Sequence, residues 1–169
     1  MILNRQRTVR VARPPLEAFL ARVREQLRLN GAEITVALVS DPAIARMNKT
    51  YRHKKGPTDV LSFPSDASPR RSAPRRRSRI AVRQGTASAV PRAIEREGAL
   101  APEAHHLGDI AISPATARRN AKKFGRTLSD ELRILMLHGV LHLLGYDHET
   151  DNGQMTRAEN RLRRKLGLQ

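Results

Sequence analysis

Cysteine and tryptophan are absent from this 169-residue chain, and only five residues are Phe or Tyr. Without cysteine there is no disulfide scaffold, thiolate zinc finger, iron–sulfur site or thiol nucleophile. Any metal would have to be held by nitrogen or oxygen. No apolar run is long enough to span a bilayer, which takes about 18 residues or more. The opening MILNRQRTVR lacks the apolar core of a signal peptide, so a soluble cytoplasmic protein is expected. Acidic residues are also scarce. Lys and Arg number 32 against 16 Asp and Glu, giving a formal net charge of +16. Such a balance favours an anionic partner, of which nucleic acid is the commonest for a small basic protein, although membranes and acidic proteins attract cations too. A hydrophobic share of 39% is enough for one core, and the length suits one domain.

Apolar periodicity organises the chain around a single break. Leu16, Phe19, Leu20, Val23 and Leu27 recur at helical spacing behind Pro14 and Pro15, with Asn30-Gly31 as the stop. Residues 33–40 (EITVALVS) alternate as a strand. Asp41 and Pro42 read as the cap and first position of a second helix with Ile44, Met47 and Tyr51 on its apolar stripe. Residues 59–63 (DVLSF) form a short strand closed by Pro64. Residues 65–104 then change character. Rich in Arg, Ser, Ala and Pro, they carry nine basic residues against four acidic, and they read as an arginine-rich insertion without fixed order in the absence of RNA. The remainder still holds 23 basic against 12 acidic residues, so the basic character is not confined to the insertion. Pattern resumes with a strand at residues 108–113 (GDIAIS). A helix follows, from the Ser113-Pro114 cap to Phe124. A fourth helix, at about residues 130–144 behind a Ser129 cap, is apolar on nearly every face and is therefore buried and central. A last amphipathic helix turns Met155, Ala158, Leu162 and Leu166 inward. Strands and helices in this order predict an α+β or α/β domain with one small sheet.

The chemistry concentrates in residues 138–148, HGVLHLLGYDH. His138 and His142 are four apart, so their rings share one helix face. Gly145 permits a sharp reversal, after which His148 can meet the other two. Three neutral imidazoles fill three corners of a tetrahedron and leave the fourth open, as in catalytic zinc sites. The positions match the metzincin spacing, with His first, fifth and eleventh and Gly eighth. The position after the first His, where a metzincin needs Glu as general base, is Gly139. A lone His in an apolar helix is ordinarily a satisfied core residue. Three at ligand spacing around a helix-ending Gly would each need another partner if no metal were present. The other histidines, His53, His105 and His106, sit beside Lys- or Pro-rich sequence and read as solvated.

With these residues in view, the chain resembles the bacterial YbeY family of endoribonucleases, the rRNA maturation factors. Four stretches carry the resemblance: Met47-Asn48 with Tyr51-Arg52, PTDVLSFP at 57–64, LGDIAIS at 107–113, and the histidine segment continuing to Asp151 and Met155. It covers most of the chain outside 65–104. It implies a zincin-like α+β fold: one small mixed sheet packed against several helices, with the metal motif on the central buried helix. It also implies one zinc ion on His138, His142 and His148, which are catalytic together with Arg52. From the residues alone Arg52 reads as a surface arginine at a helix end. The implied partners are rRNA and ribosomal particles, with no membrane and no DNA. The implied roles are maturation of the small-subunit rRNA 3′ end and ribosome quality control. Two departures stand out. The family usually joins the SFP and GDI strands by a short acidic connection, replaced here by the insertion, and His53, Lys54 and Lys55 stand where it often has an acidic residue nearby.

Asp109 and Asp147 are candidates for carboxylates that orient an imidazole, or simply for structural acids. The aromatics, mostly at core-like positions, leave few platforms for unpaired bases, so recognition is expected to be mainly electrostatic. Arg118, Arg119, Lys122, Lys123 and Arg126 form a basic helix and turn that is either a nucleic-acid surface or a solvated face. Two other functions fit less of the pattern. One is a ribosome-associated RNA-binding protein with a structural zinc; the other is a different metal-dependent hydrolase, with Gly139 arguing against a peptidase.

Overall fold

The structure, a computed structural model, describes residues 1–65, 105–147 and 151–168. The insertion expected at 65–104 therefore lies outside the described residues except for Ser65. Strand β1 (Ile2–Asn4), which sequence periodicity did not reveal, is followed by α1 (Arg13–Gln26), β2 (Ala32–Leu38) and α2 (Asp41–Arg52). Then come β3 (Val60–Pro64), β4 (His105–Ile112), α3 (Pro114–Lys123), α4 (Leu128–Leu143) and α5 (Gln154–Leu166). The four strands lie in the order β1-β2-β4-β3. β1 and β4 run parallel to β2, and β3 runs antiparallel to β4, so the sheet is mixed and the fold α+β. β3 lies at an edge, and an edge strand can hold a residue without an N–H, which accounts for Pro64 falling inside it rather than closing it. His105 and His106, expected beside flexible sequence, open β4.

Alternation along the strands sends side chains to two faces. Ile34, Val36, Leu38, Ile110 and Ile112 face the main core with α1, α4 and α5. Val39, Leu61 and Ala111 face the opposite side, where they pack with Ile44 of α2. The central helix α4 is buried as predicted, with Leu132, Met136, Leu137, Val140 and Leu141 at most 1% exposed. Close approach to the sheet occurs at two glycines. A Cβ on Gly139 would stand 2.8 Å from Ile110 Cγ2, and one on Gly108 would stand 2.4 Å from the Phe63 carbonyl oxygen and 2.8 Å from Leu143 Cδ2.

Several termini differ from the sequence reading. α1 ends before Asn30-Gly31: Arg28 takes the left-handed turn at φ 55°, with Arg28 N–H donating to Glu25 O and Leu29 N–H to Arg24 O. The packing of Leu27 and Leu29 against the core replaces the glycine. Ser40, not Asp41, occupies the N-cap position of α2, with no hydrogen bond from its side chain to the helix, and Thr127, not Ser129, caps α4 by accepting from Asp130 N–H at 3.1 Å. In α2 the buried residues are Ile44 and Asn48, while Tyr51 is 65% exposed. The Ser113 cap of α3 is as read.

Candidate active site

One cleft of about 820 Å³ gathers residues from elements far apart in sequence. Its floor is the edge strand β3, all five residues of which line it. Arg52 and Tyr51 enter from α2 on one side of the sheet; His138 and His142 enter from α4 on the other, with Gly145, Tyr146 and Asp147 beyond. Ser62 Oγ donates to Gly139 O at 3.3 Å, tying the strand to the histidine helix.

Each side chain has a local reason for its position. His138 and His142 lie one turn apart on α4. Their Nε2 atoms are 3.1 Å apart and the rings meet at 73°. Glu159 of α5 accepts from His138 Nδ1 at 3.1 Å and is itself held by Arg163. A proton fixed on Nδ1 leaves the Nε2 lone pair facing the cleft. Burial pushes the Glu159 carboxyl up, but the His138 hydrogen bond and the Arg163 charge outweigh it, so Glu159 titrates below the ordinary carboxylate range. After α4 the chain reverses as predicted at Gly145 (φ 80°), with Gly145 N–H donating to His142 O and Tyr146 N–H to Leu141 O. Arg52 closes α2, where His53 takes a left-handed conformation (φ 54°) and its N–H donates to Asn48 O. Asn48, buried, donates from its amide to Gly56 O at 3.0 Å and so pins the turn beside Arg52.

Two of the three histidines read from spacing thus converge, and Arg52 shares their cleft. The third, His148, lies outside the described residues. Among the described residues no group of three His, Cys, Asp or Glu is assembled to hold a metal. The pair nevertheless fits a zinc ion. Tetrahedral coordination at Zn–N distances of about 2.1 Å sets two ligand nitrogens roughly 3.4 Å apart, near the 3.1 Å observed. Position 139 carries no carboxylate base, and any side chain there would press on Ile110.

Other expectations shift. Asp109 is exposed on β4 and faces His106 at 3.3 Å, which is the structural reading of that acid. Asp147 lines the cleft. The carboxylate that orients an imidazole is Glu159. The signal for it was an acid flanking the inward apolar stripe of an otherwise basic helix. Phe19 is buried in the core and Phe63 and Tyr146 pack against it, yet the aromatics also shape the opening. Tyr51, Phe63 and Tyr146 all line the cleft, and Tyr51 meets Phe63 edge-to-face at 5.0 Å between ring centroids. Phe124, 56% exposed, lies under Lys123 and Arg126.

Fold and cleft together define a small α+β protein with paired imidazoles, an arginine and aromatic faces around one opening. The profile of the family described as "Endoribonuclease YbeY" matches residues 1–167. Among similar proteins named Endoribonuclease YbeY, that of Solibacter usitatus is 37% identical over 92% of this chain and 80% of its own length. That of Nautilia profundicola is 38% identical over 83% and 76%, and that of Koribacter versatilis 35% over 99% and 86%. The fold is similar to a solution structure of a Thermotoga maritima protein, with a TM-score of 0.56 at 23% identity, covering 98% of this chain and 89% of that one. The chain belongs to the endoribonuclease YbeY family.

Proposed function

We propose that this protein is a zinc-dependent, single-strand-specific endoribonuclease acting in small-subunit rRNA 3′-end maturation and ribosome quality control, in the cytoplasm where ribosomes are. The observation that carries the proposal is the convergence of His138 and His142 through their Nε2 atoms in the cleft that Arg52 enters. His138, His142 and His148 would hold the ion. An antiparallel edge strand running beside the histidine helix supports the zincin-like reading of the fold. The chemistry zinc supplies in such a setting is Lewis-acid neutralisation of developing charge and acidification of a coordinated water.

The chain's own residues supply the rest. Arg52 presents a planar fork suited to two phosphate oxygens. Glu159 holds the Nδ1 proton of His138 and fixes that ring. Tyr51, Phe63 and Tyr146 offer faces to unpaired bases, which a paired strand would keep stacked inside its helix. The open 820 Å³ cleft beside the imidazoles favours a reacting site over a closed structural zinc, and the blocked position at Gly139 disfavours peptide hydrolysis.

The test is cleavage of a single-stranded rRNA fragment by zinc-loaded wild type, His142→Ala and Arg52→Glu, purified in parallel. Both variants should lose activity by about 100-fold or more. If wild type binds zinc and RNA but cuts no faster than either variant, the protein is a binding module and the proposal falls.

A further inference from the structure

Tyr146 lines a second cleft as well, of about 560 Å³, whose other wall is the outer face of α5. Arg157, Arg161 and Arg164 stand along that wall, with Gln154 a turn before them and Asn160 among them. All three arginines are exposed. Their spacing of four and three residues puts them on one helix face, one turn apart, or about 5.4 Å along the axis. Among the described residues no carboxylate pairs with any of them; Arg157 donates to the Asn152 carbonyl at 3.0 Å, which leaves its charge uncompensated. Arg163 of the same helix is tied instead to Glu159. The helix therefore separates one arginine that supports the histidine side from three that repel one another at a cost to folding. An anion laid along the face would remove that cost.

We propose that this arginine face is a phosphate track for the RNA strand running out of the histidine cleft past Tyr146. Single-stranded RNA is favoured among polyanions on three counts. The track adjoins the histidine cleft through a shared aromatic side chain that a base can stack on. Guanidinium forks match phosphate oxygens. Phosphates also recur along a strand, as these side chains recur along the helix. The inference rests on the endoribonuclease reading for the strand's origin, but its test reads binding rather than cleavage.

In a His142→Ala background, the anisotropy of fluorescein-labelled oligouridylates of four and twelve nucleotides would be followed over a salt series. Three proteins are compared: the parent, R157Q/R161Q/R164Q, and R118Q/K122Q/K123Q. The last removes equal charge from α3, no residue of which lines either cleft. The α5 triple variant should weaken twelve-nucleotide binding by tenfold or more. Its slope of log K against log salt should shrink by about 2, the value for three phosphates on a single strand. Binding of the four-nucleotide probe should change less than threefold, as should binding of either probe by the α3 variant. Equal weakening by the two triple variants would reduce the effect to overall charge and overturn the proposal. So would an unchanged salt slope, or displacement of the RNA by a polyglutamate of matched charge as effectively as by unlabelled RNA. Absence of RNA cleavage by wild type would sink the endoribonuclease reading while leaving these binding outcomes to be judged by themselves.

Discussion

A single imidazole in this cleft is defined by what stands behind it. Glu159 accepts a hydrogen bond from His138 Nδ1, and Arg163 holds Glu159 in turn. Orientation of that ring decides where its Nε2 lone pair points, so the carboxylate acts on the cleft through His138 without lining it. Glu159→Gln should lower zinc affinity by roughly 10- to 100-fold, read by competition with a chromophoric chelator, with far-ultraviolet circular dichroism unchanged. Glu159→Asp should recover part of the loss; wild-type affinity in the Gln variant would show the contact to be incidental. At this scale the pairing of His138 and His142 was legible, because i, i+4 spacing survives in the linear chain, whereas Arg52 was singled out only by the family resemblance. Glu159 was not, since it lies 21 residues from His138 and meets it only once α5 docks on α4.

Among elements, the contact of α4 with β4 sets the depth of the histidines relative to the edge strand. Gly139 lets the helix backbone rest directly on Ile110. Gly139→Ala should cost about 1–3 kcal/mol in urea unfolding, because close-packed interiors resist an added methyl. In a double-mutant cycle Ile110→Ala should recover at least about 1 kcal/mol of that cost, and simple additivity would mean the two residues do not press on each other. α4 and α5 were readable from their periods, as was β2 from its alternation. β1 was not, since three residues carry no period. The caps shifted by one or two positions because Ser40 against Asp41, and Thr127 against Ser129, are near-equivalent N-cap residues whose choice is settled by packing.

Across the whole molecule, 32 basic residues face 16 acidic ones, and acidification removes the counter-charge. Asp41 shows how the remaining acids are used. Its carboxylate joins α2 to α3 by accepting from the Ser113 hydroxyl, from Thr116 Oγ1 at 2.9 Å and from Arg119 at 2.8 Å. Burial raises its pKa, but these donors and the Arg119 charge together outweigh it, so its pKa lies below the ordinary 3.8. A depressed folded-state pKa gives stability that is fully present above the unfolded value and is lost as pH falls through the folded one. Asp41→Asn should therefore be less stable than wild type by roughly 1 kcal/mol at pH 7, and the gap should narrow below about pH 4. A gap that stays constant from pH 7 to pH 3 would remove ionisation from the account. Self-repulsion grows over the same range for both proteins and lowers their shared baseline.

The linear chain by itself determined the charge, the absence of thiol chemistry, the main helices and the pairing of His138 with His142. These follow from composition and from spacings shorter than one element. Tertiary structure alone decided that an arginine from one side of the sheet meets imidazoles from the other around an open strand edge. It also decided that three of the five aromatics line that opening, two of them while packing against the core as well. Periodicity records which side of an element is apolar, but it carries no information about which distant element arrives there, because that is settled by how the layers pack.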